Sequence, residues 1–123
     1  MAGIYFHYPF CSQACNYCNF HFSTQTKYRQ QMQQAMKSEL YLRKSELKKP
    51  IESIYFGGGS PSLLPASFFY KTIKSVKNYF KLNDNIEVTL EANPNDLSLE
   101  NLKDLKKSGV NRISLGVQSF DDD

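Results

Sequence analysis

Residues 5–20 read Tyr5-Phe6-His7-Tyr8-Pro9-Phe10-Cys11-Ser12-Gln13-Ala14-Cys15-Asn16-Tyr17-Cys18-Asn19-Phe20, an apolar strand-forming run that empties into a cysteine loop. Cys11, Cys15 and Cys18 are the only cysteines of the chain and are spaced C-x3-C-x2-C. Three thiolates in one short loop can hold three irons of a [4Fe–4S] cluster and leave the fourth iron open to a small molecule. Zinc, with His7 or His21 as a fourth ligand, satisfies the same spacing, and so do unligated thiols. A disulfide framework does not, because three is an odd number.

Around this window the composition is that of one domain. The chain has 123 residues, 41% of them apolar, a net charge of +3 and a pI near 8.7. Lys and Arg are interspersed with Asp and Glu, so no like-charged run forms a nucleic-acid arm or a membrane patch. The mild basic excess reads as a solvated surface. No stretch approaches the roughly 20 apolar residues of a membrane-spanning helix, and the N-terminus lacks the basic-then-apolar pattern of a signal peptide. Free thiols and the missing signal together point to a reducing cytoplasm.

Strand-like and helix-like segments alternate along the chain. Strands are expected at about residues 3–8, 52–56, 86–90 and 112–117. Between them, Ser23, Thr24 and Thr26 offer caps for a long helix reaching about Lys49, where Pro50 stops it. Its apolar stripe is Tyr28, Met32, Ala35, Met36, Leu40 and Leu47. A second helix covers about Pro65 to Phe80 and buries Phe68, Phe69, Ile73, Val76 and Phe80. Asn83-Asp84-Asn85 forms a turn. Ser98 caps a third helix carrying Leu99, Leu102 and Leu105, with Gly109 as its C′ residue. The order implies parallel strands joined by right-handed crossovers, an α/β architecture.

Each unusual cluster lies just past a strand: the cysteines, Gly57-Gly58-Gly59-Ser60, Glu91 and Gln118. Parallel sheets build their sites from these carboxyl-end loops, so one shared pocket is expected. Glycines admit close backbone approach and positive φ, which serves a ligand or simply a tight turn. No Gly-Lys-Ser/Thr follows them, so a phosphate loop is disfavoured. Glu91 can accept ammonium or hydroxyl hydrogen bonds, or be a plain surface carboxylate. Tyr5 and His7 on the first strand are readable as core or hydrogen-bonded structural groups, and Arg112 as the partner of a carboxylate. Glu87 is given no role.

These motifs together resemble the radical S-adenosylmethionine (SAM) family, and within it the branch of heme chaperones and oxygen-independent coproporphyrinogen III oxidases. The resemblance spans nearly the whole chain: the cysteine window, Gly57 to Pro61, Leu90-Glu91-Ala92-Asn93-Pro94, and Leu115-Gly116-Val117-Gln118-Ser119-Phe120. It implies a [4Fe–4S] cluster on Cys11, Cys15 and Cys18, its open iron chelated by the amino and carboxylate groups of SAM. Phe10, Tyr17 and Phe20 would shield that loop. It further implies SAM contacts from Tyr5, Tyr17, Gly58, Gly59, Ser60, Glu91 and Gln118. The implied fold is the first half of a partial (β/α)6 TIM-like barrel, incomplete in this chain. Residues 1–123 would then be a single N-terminal segment of that core, with no further domain present.

The branch implies heme or porphyrin as the ligand of the full-length protein and hemoproteins such as respiratory enzymes as recipients. The oxidases carry a fourth cysteine two residues past the third, where this chain has Phe20. The chaperone reading is therefore expected over decarboxylation of coproporphyrinogen III propionates.

Overall fold

The computed structural model describes residues 2–8, 26–59 and 61–116, without the side chains of residues 26–29. Four strands, β1 (Ala2–Tyr8), β2 (Ile51–Gly58), β3 (Leu82–Ala92) and β4 (Arg112–Leu115), form one parallel sheet in the order β1-β2-β3-β4. Helices α1 (Thr26–Leu42), α2 (Ala66–Tyr79) and α3 (Leu99–Ser108) provide the crossovers. The alternation of segments expected from sequence is thus the alternation observed.

Strand register assigns every strand residue to one of two faces. Tyr5, Tyr55, Thr89 and Arg112 stand side by side, while Phe6, Phe56, Leu90 and Ile113 form the next row. Because side chains alternate along a strand, two chemically different surfaces result. One carries Ile4, Phe6, Tyr8, Ile54, Phe56, Val88, Leu90 and Ile113. It packs against Leu40 of α1, Phe69, Ile73 and Val76 of α2, and Leu105 of α3. Phe56 anchors this core, stacked on Phe6 at 5.0 Å and edge-on to Phe69 at 4.9 Å between ring centroids. Such pairs contribute about 0.5–1.5 kcal/mol beyond the area they bury.

The opposite face carries Gly3, Tyr5, His7, Ser53, Tyr55, Gly57, Glu87, Thr89, Glu91, Arg112 and Ser114. Its polar side chains line the direction in which a barrel would close.

The register is interrupted once between β2 and β3. Ile51 pairs with Leu82, but Ser53 pairs with Glu87, so Asn83, Asp84 and Asn85 are accommodated as an irregularity. The expected turn is present there, closed by the Asn83 side chain accepting from the Asn85 amide at 3.0 Å, although it lies inside the longer β3. Asn111 then ties the start of β4 to β3. Its side chain accepts from the Val88 amide at 2.8 Å and donates to the Ile86 carbonyl at 2.9 Å.

Two expectations are corrected. Helix α1 ends at Leu42, not near Lys49. Bonds from Lys44 to Tyr41 and from Glu46 to Arg43 tighten the chain into turns, which bring Leu47 back onto the core. Its stripe is also narrower, for Ala35 is exposed while Met32, Met36 and Leu40 face inward. Of the α3 leucines only Leu105 is buried, along with Ser108; Leu99 is 71% and Leu102 38% exposed. Leu105 is the α3 leucine that joins the core cluster. Both termini of α3 read correctly: Ser98 accepts from the Asn101 amide at 3.0 Å, and Gly109 adopts φ 114°.

Candidate functional site at the carboxyl ends of the strands

At the carboxyl ends of β1, β2 and β3 the polar face gathers Tyr5, His7, Tyr55, Gly57, Gly58 and Glu91. Glu91, half-buried at the end of β3, is held at both oxygens. The Tyr55 hydroxyl donates to Oε1 at 2.7 Å, and the Gly58 amide donates to Oε2 at 3.3 Å. Ser114, on β4, stands in register with Glu91. The hydrogen bond to Glu91, then burial, pushes the Tyr55 phenol above its ordinary pKa of 10.0. Tyr5 stacks on Tyr55 at 5.6 Å between centroids. Partial burial, then the Glu91 charge, raises its phenol as well, although 56% of Tyr5 is exposed.

Among the described residues no Lys, Arg or His forms an ion pair with Glu91. Its carboxylate is thus oriented by neutral donors and retains spare acceptor capacity. That donor set fits a ligand that brings hydrogen-bond donors or positive charge, as the ammonium and ribose of SAM do.

The glycine segment has a second, internal reason for its composition. A Cβ on Gly57 would stand 2.8 Å from the Tyr5 hydroxyl, and Gly58 adopts φ 112°. A Cβ on Gly58 would strike the Tyr8 carbonyl oxygen. The Gly59 amide donates to that same carbonyl at 2.6 Å. Glycine is therefore demanded by the close approach of β2 to the end of β1, which supports the turn reading of this segment. The same closeness brings the Gly58 amide to Glu91 and sets the triplet beside the exit of β1 toward the cysteine loop.

Of the residues expected from sequence, Tyr5, Gly58 and Glu91 are brought together, with Gly59 on the adjoining rung. Cys11, Cys15, Cys18, Tyr17, Ser60 and Gln118 lie outside the described residues. His7 is exposed, its Nδ1 3.1 Å from the Tyr5 hydroxyl, consistent with a hydrogen-bonded structural histidine. Arg112 pairs with Glu87 at 2.8 Å, as a partner of some carboxylate was expected to do. Tyr55 and Ser114 were not singled out by sequence. The available signal was parity, since Ser53 and Tyr55 alternate with apolar Ile54 and Phe56.

Residues 5–123 match the family model described as the radical SAM superfamily. The chain is 42% identical over 98% of its length to a Dictyostelium discoideum protein named radical S-adenosyl methionine domain-containing protein 1, mitochondrial, of which it covers 31%. It is 37% identical over 98% of its length to the heme chaperone HemW of Haemophilus influenzae, covering 33% of that protein. Among solved structures, the radical SAM enzyme coproporphyrinogen III oxidase (HemN) of Escherichia coli superposes with a TM-score of 0.86 at 28% identity, over 98% of this chain and 28% of that one. The chain therefore spans about a third of the length of the curated relatives it matches.

Proposed function

The chain belongs to the radical SAM superfamily, and its four parallel strands are part of that family's TIM-like fold; from this premise we propose that it serves a HemW-like heme chaperone. In this reading Cys11, Cys15 and Cys18 hold a [4Fe–4S] cluster. Tyr5, Tyr17, Gly58, Gly59, Ser60, Glu91 and Gln118 receive SAM, and the full-length protein passes heme to hemoproteins such as respiratory enzymes. The observation that carries it is the convergence of Tyr5, Gly58 and Glu91 at the strand ends, beside the exit of β1 toward the cysteines. When bound and reduced, such a cluster supplies the electron that cleaves the carbon–sulfur bond of SAM.

The residues of this chain do the binding work. Glu91 presents a fixed carboxylate, Gly58 holds it through its amide, and Tyr5 offers an exposed aromatic ring beside it. The relatives named heme chaperones support the chaperone over the oxidase, as does Phe20 in the position of the oxidases' fourth cysteine. No described helix is long and apolar enough to cross a membrane. Nucleic acid is not among the proposed partners, since the charge is mixed. Three cysteines outside any disulfide framework suit a reducing compartment, and the cytoplasm is the proposed one. The relatives named as mitochondrial make the location of a tagged full-length chain its test.

Electron paramagnetic resonance of the anaerobically reconstituted, dithionite-reduced protein tests the site. A reduced-cluster signal that shifts on adding SAM is expected. A signal that SAM leaves unmoved overturns SAM binding at an open iron, and visible absorption unchanged in the Cys11→Ala, Cys15→Ala, Cys18→Ala triple variant overturns the ligand assignment. Stoichiometric heme binding without turnover is expected of the full-length protein. Vinyl products from coproporphyrinogen III would favour the oxidase reading that the HemN superposition represents.

A further inference from the structure

We propose that Tyr55 is a positioning residue for Glu91, locking its carboxylate in the orientation that receives SAM; this rests on the SAM reading of Glu91 given above. Three observations carry it. First, the shortest hydrogen bond to Glu91 comes from the Tyr55 hydroxyl, at 2.7 Å against 3.3 Å from the Gly58 amide. Second, Tyr55 is itself held against a neighbour: its ring lies 5.6 Å from that of Tyr5 at an interplanar angle of 23°. Third, no protein cation among the described residues neutralises Glu91.

A free glutamate has three side-chain torsions, and binding a ligand must freeze them. Here a donor on β2 and a backbone amide freeze them beforehand, so that ordering is not charged to the ligand. The donors are neutral, so the carboxylate keeps its attraction for a ligand with an ammonium group or hydroxyls. A lysine at position 55 would orient Glu91 equally well but would cancel that attraction. Tyrosine on the polar parity of β2 therefore combines reach, rigidity and neutrality.

The test is calorimetric titration of SAM into cluster-loaded protein for wild type, Tyr55→Phe, Glu91→Gln and the double variant, with visible absorption confirming equal cluster content. Tyr55→Phe keeps the ring and its stacking while removing the donor. It is expected to weaken SAM binding about ten-fold, near the low end for losing a hydrogen bond to a charged group. In the Glu91→Gln background the same change is expected to cost less than about two-fold, because residues acting through one another are non-additive. Equal effects in both backgrounds would overturn the proposal, assigning Tyr55 a general structural role.

The two readings fail differently. Wild-type SAM affinity in Glu91→Gln removes Glu91 from the SAM site altogether. Weakened binding in Glu91→Gln with none in Tyr55→Phe refutes the positioning role alone. A second readout needs neither cluster nor SAM: the Tyr55 phenol, followed at 295 nm, should ionise at lower pH in Glu91→Gln. An unchanged titration overturns the hydrogen bond on which the proposal stands.

Discussion

Gly58 and Gly109 offer a controlled comparison of what a methyl group costs at the site and away from it. Their φ angles, 112° and 114°, are nearly the same. Replacing either by alanine therefore carries a similar backbone penalty, about 1–2 kcal/mol for an L-residue in the left-handed region. The surroundings differ. At Gly109 the new Cβ would lie 3.1 Å from Ile73 Cδ1, the end of a flexible side chain that can give way. At Gly58 it would lie 2.8 Å from both the nitrogen and the carbonyl carbon of Tyr8, and closer still to its oxygen. Backbone in a paired strand cannot yield as a side chain does, so overpacking adds about 1–3 kcal/mol. Gly109→Ala is thus expected to cost about 1–2 kcal/mol, and Gly58→Ala about 2–5 kcal/mol. Guanidinium unfolding followed by circular dichroism, extrapolated linearly to water, measures both. Equal losses would refute the argument, since they would show that the contact with Tyr8 adds nothing to the backbone term.

Ser98→Ala should destabilise by about 1 kcal/mol through loss of the α3 cap, while SAM affinity is unchanged by calorimetry. Arg112→Ala should cost less than about 1 kcal/mol, because the ion pair with Glu87 is half-exposed, and that cost should shrink in high salt; a salt-independent loss in thermal unfolding would mean that packing dominates. Above pH 10 the raised phenol of Tyr55 sets a sign. Its contribution is complete below the unfolded pKa of about 10 and is lost as pH rises through the higher folded value. Denaturation curves at stepped alkaline pH should accordingly show stability falling less steeply in Tyr55→Phe than in wild type.

The strands were legible because apolar and polar residues alternate strictly in runs such as Ile86-Glu87-Val88-Thr89-Leu90, and that alternation survives folding as two faces. Ser98 and Gly109 were legible because capping chemistry is local. The end of α1 was not, since residues 43–49 hold good helix formers; the chain turns there to return Leu47 to the core. The exposure of Leu99 and Leu102 was not legible either, as helical spacing says which residues share a face and not whether anything covers it. At the site, Glu91 and the glycines stood out as polar or special residues past strand ends. Tyr55 did not, because a tyrosine inside a strand looks like core until the register places it beside Tyr5 and opposite Phe56. That register passes through the irregularity at Asn83 to Asn85, which only the paired strands reveal.

The division of the sheet into two faces also separates two kinds of evolutionary freedom. On the helix-covered face, substitutions at the buried Phe56, Leu90 or Ile54 must conserve volume to keep the packing. On the other face, Tyr5, His7, Tyr55, Glu91 and Ser114 stand on the same strands with their side chains turned away from that core. Their exchange leaves that packed core untouched and costs only the hydrogen bonds and ring contacts they make with one another. A lineage could therefore change what this surface binds by altering alternate residues along strands it never has to redesign.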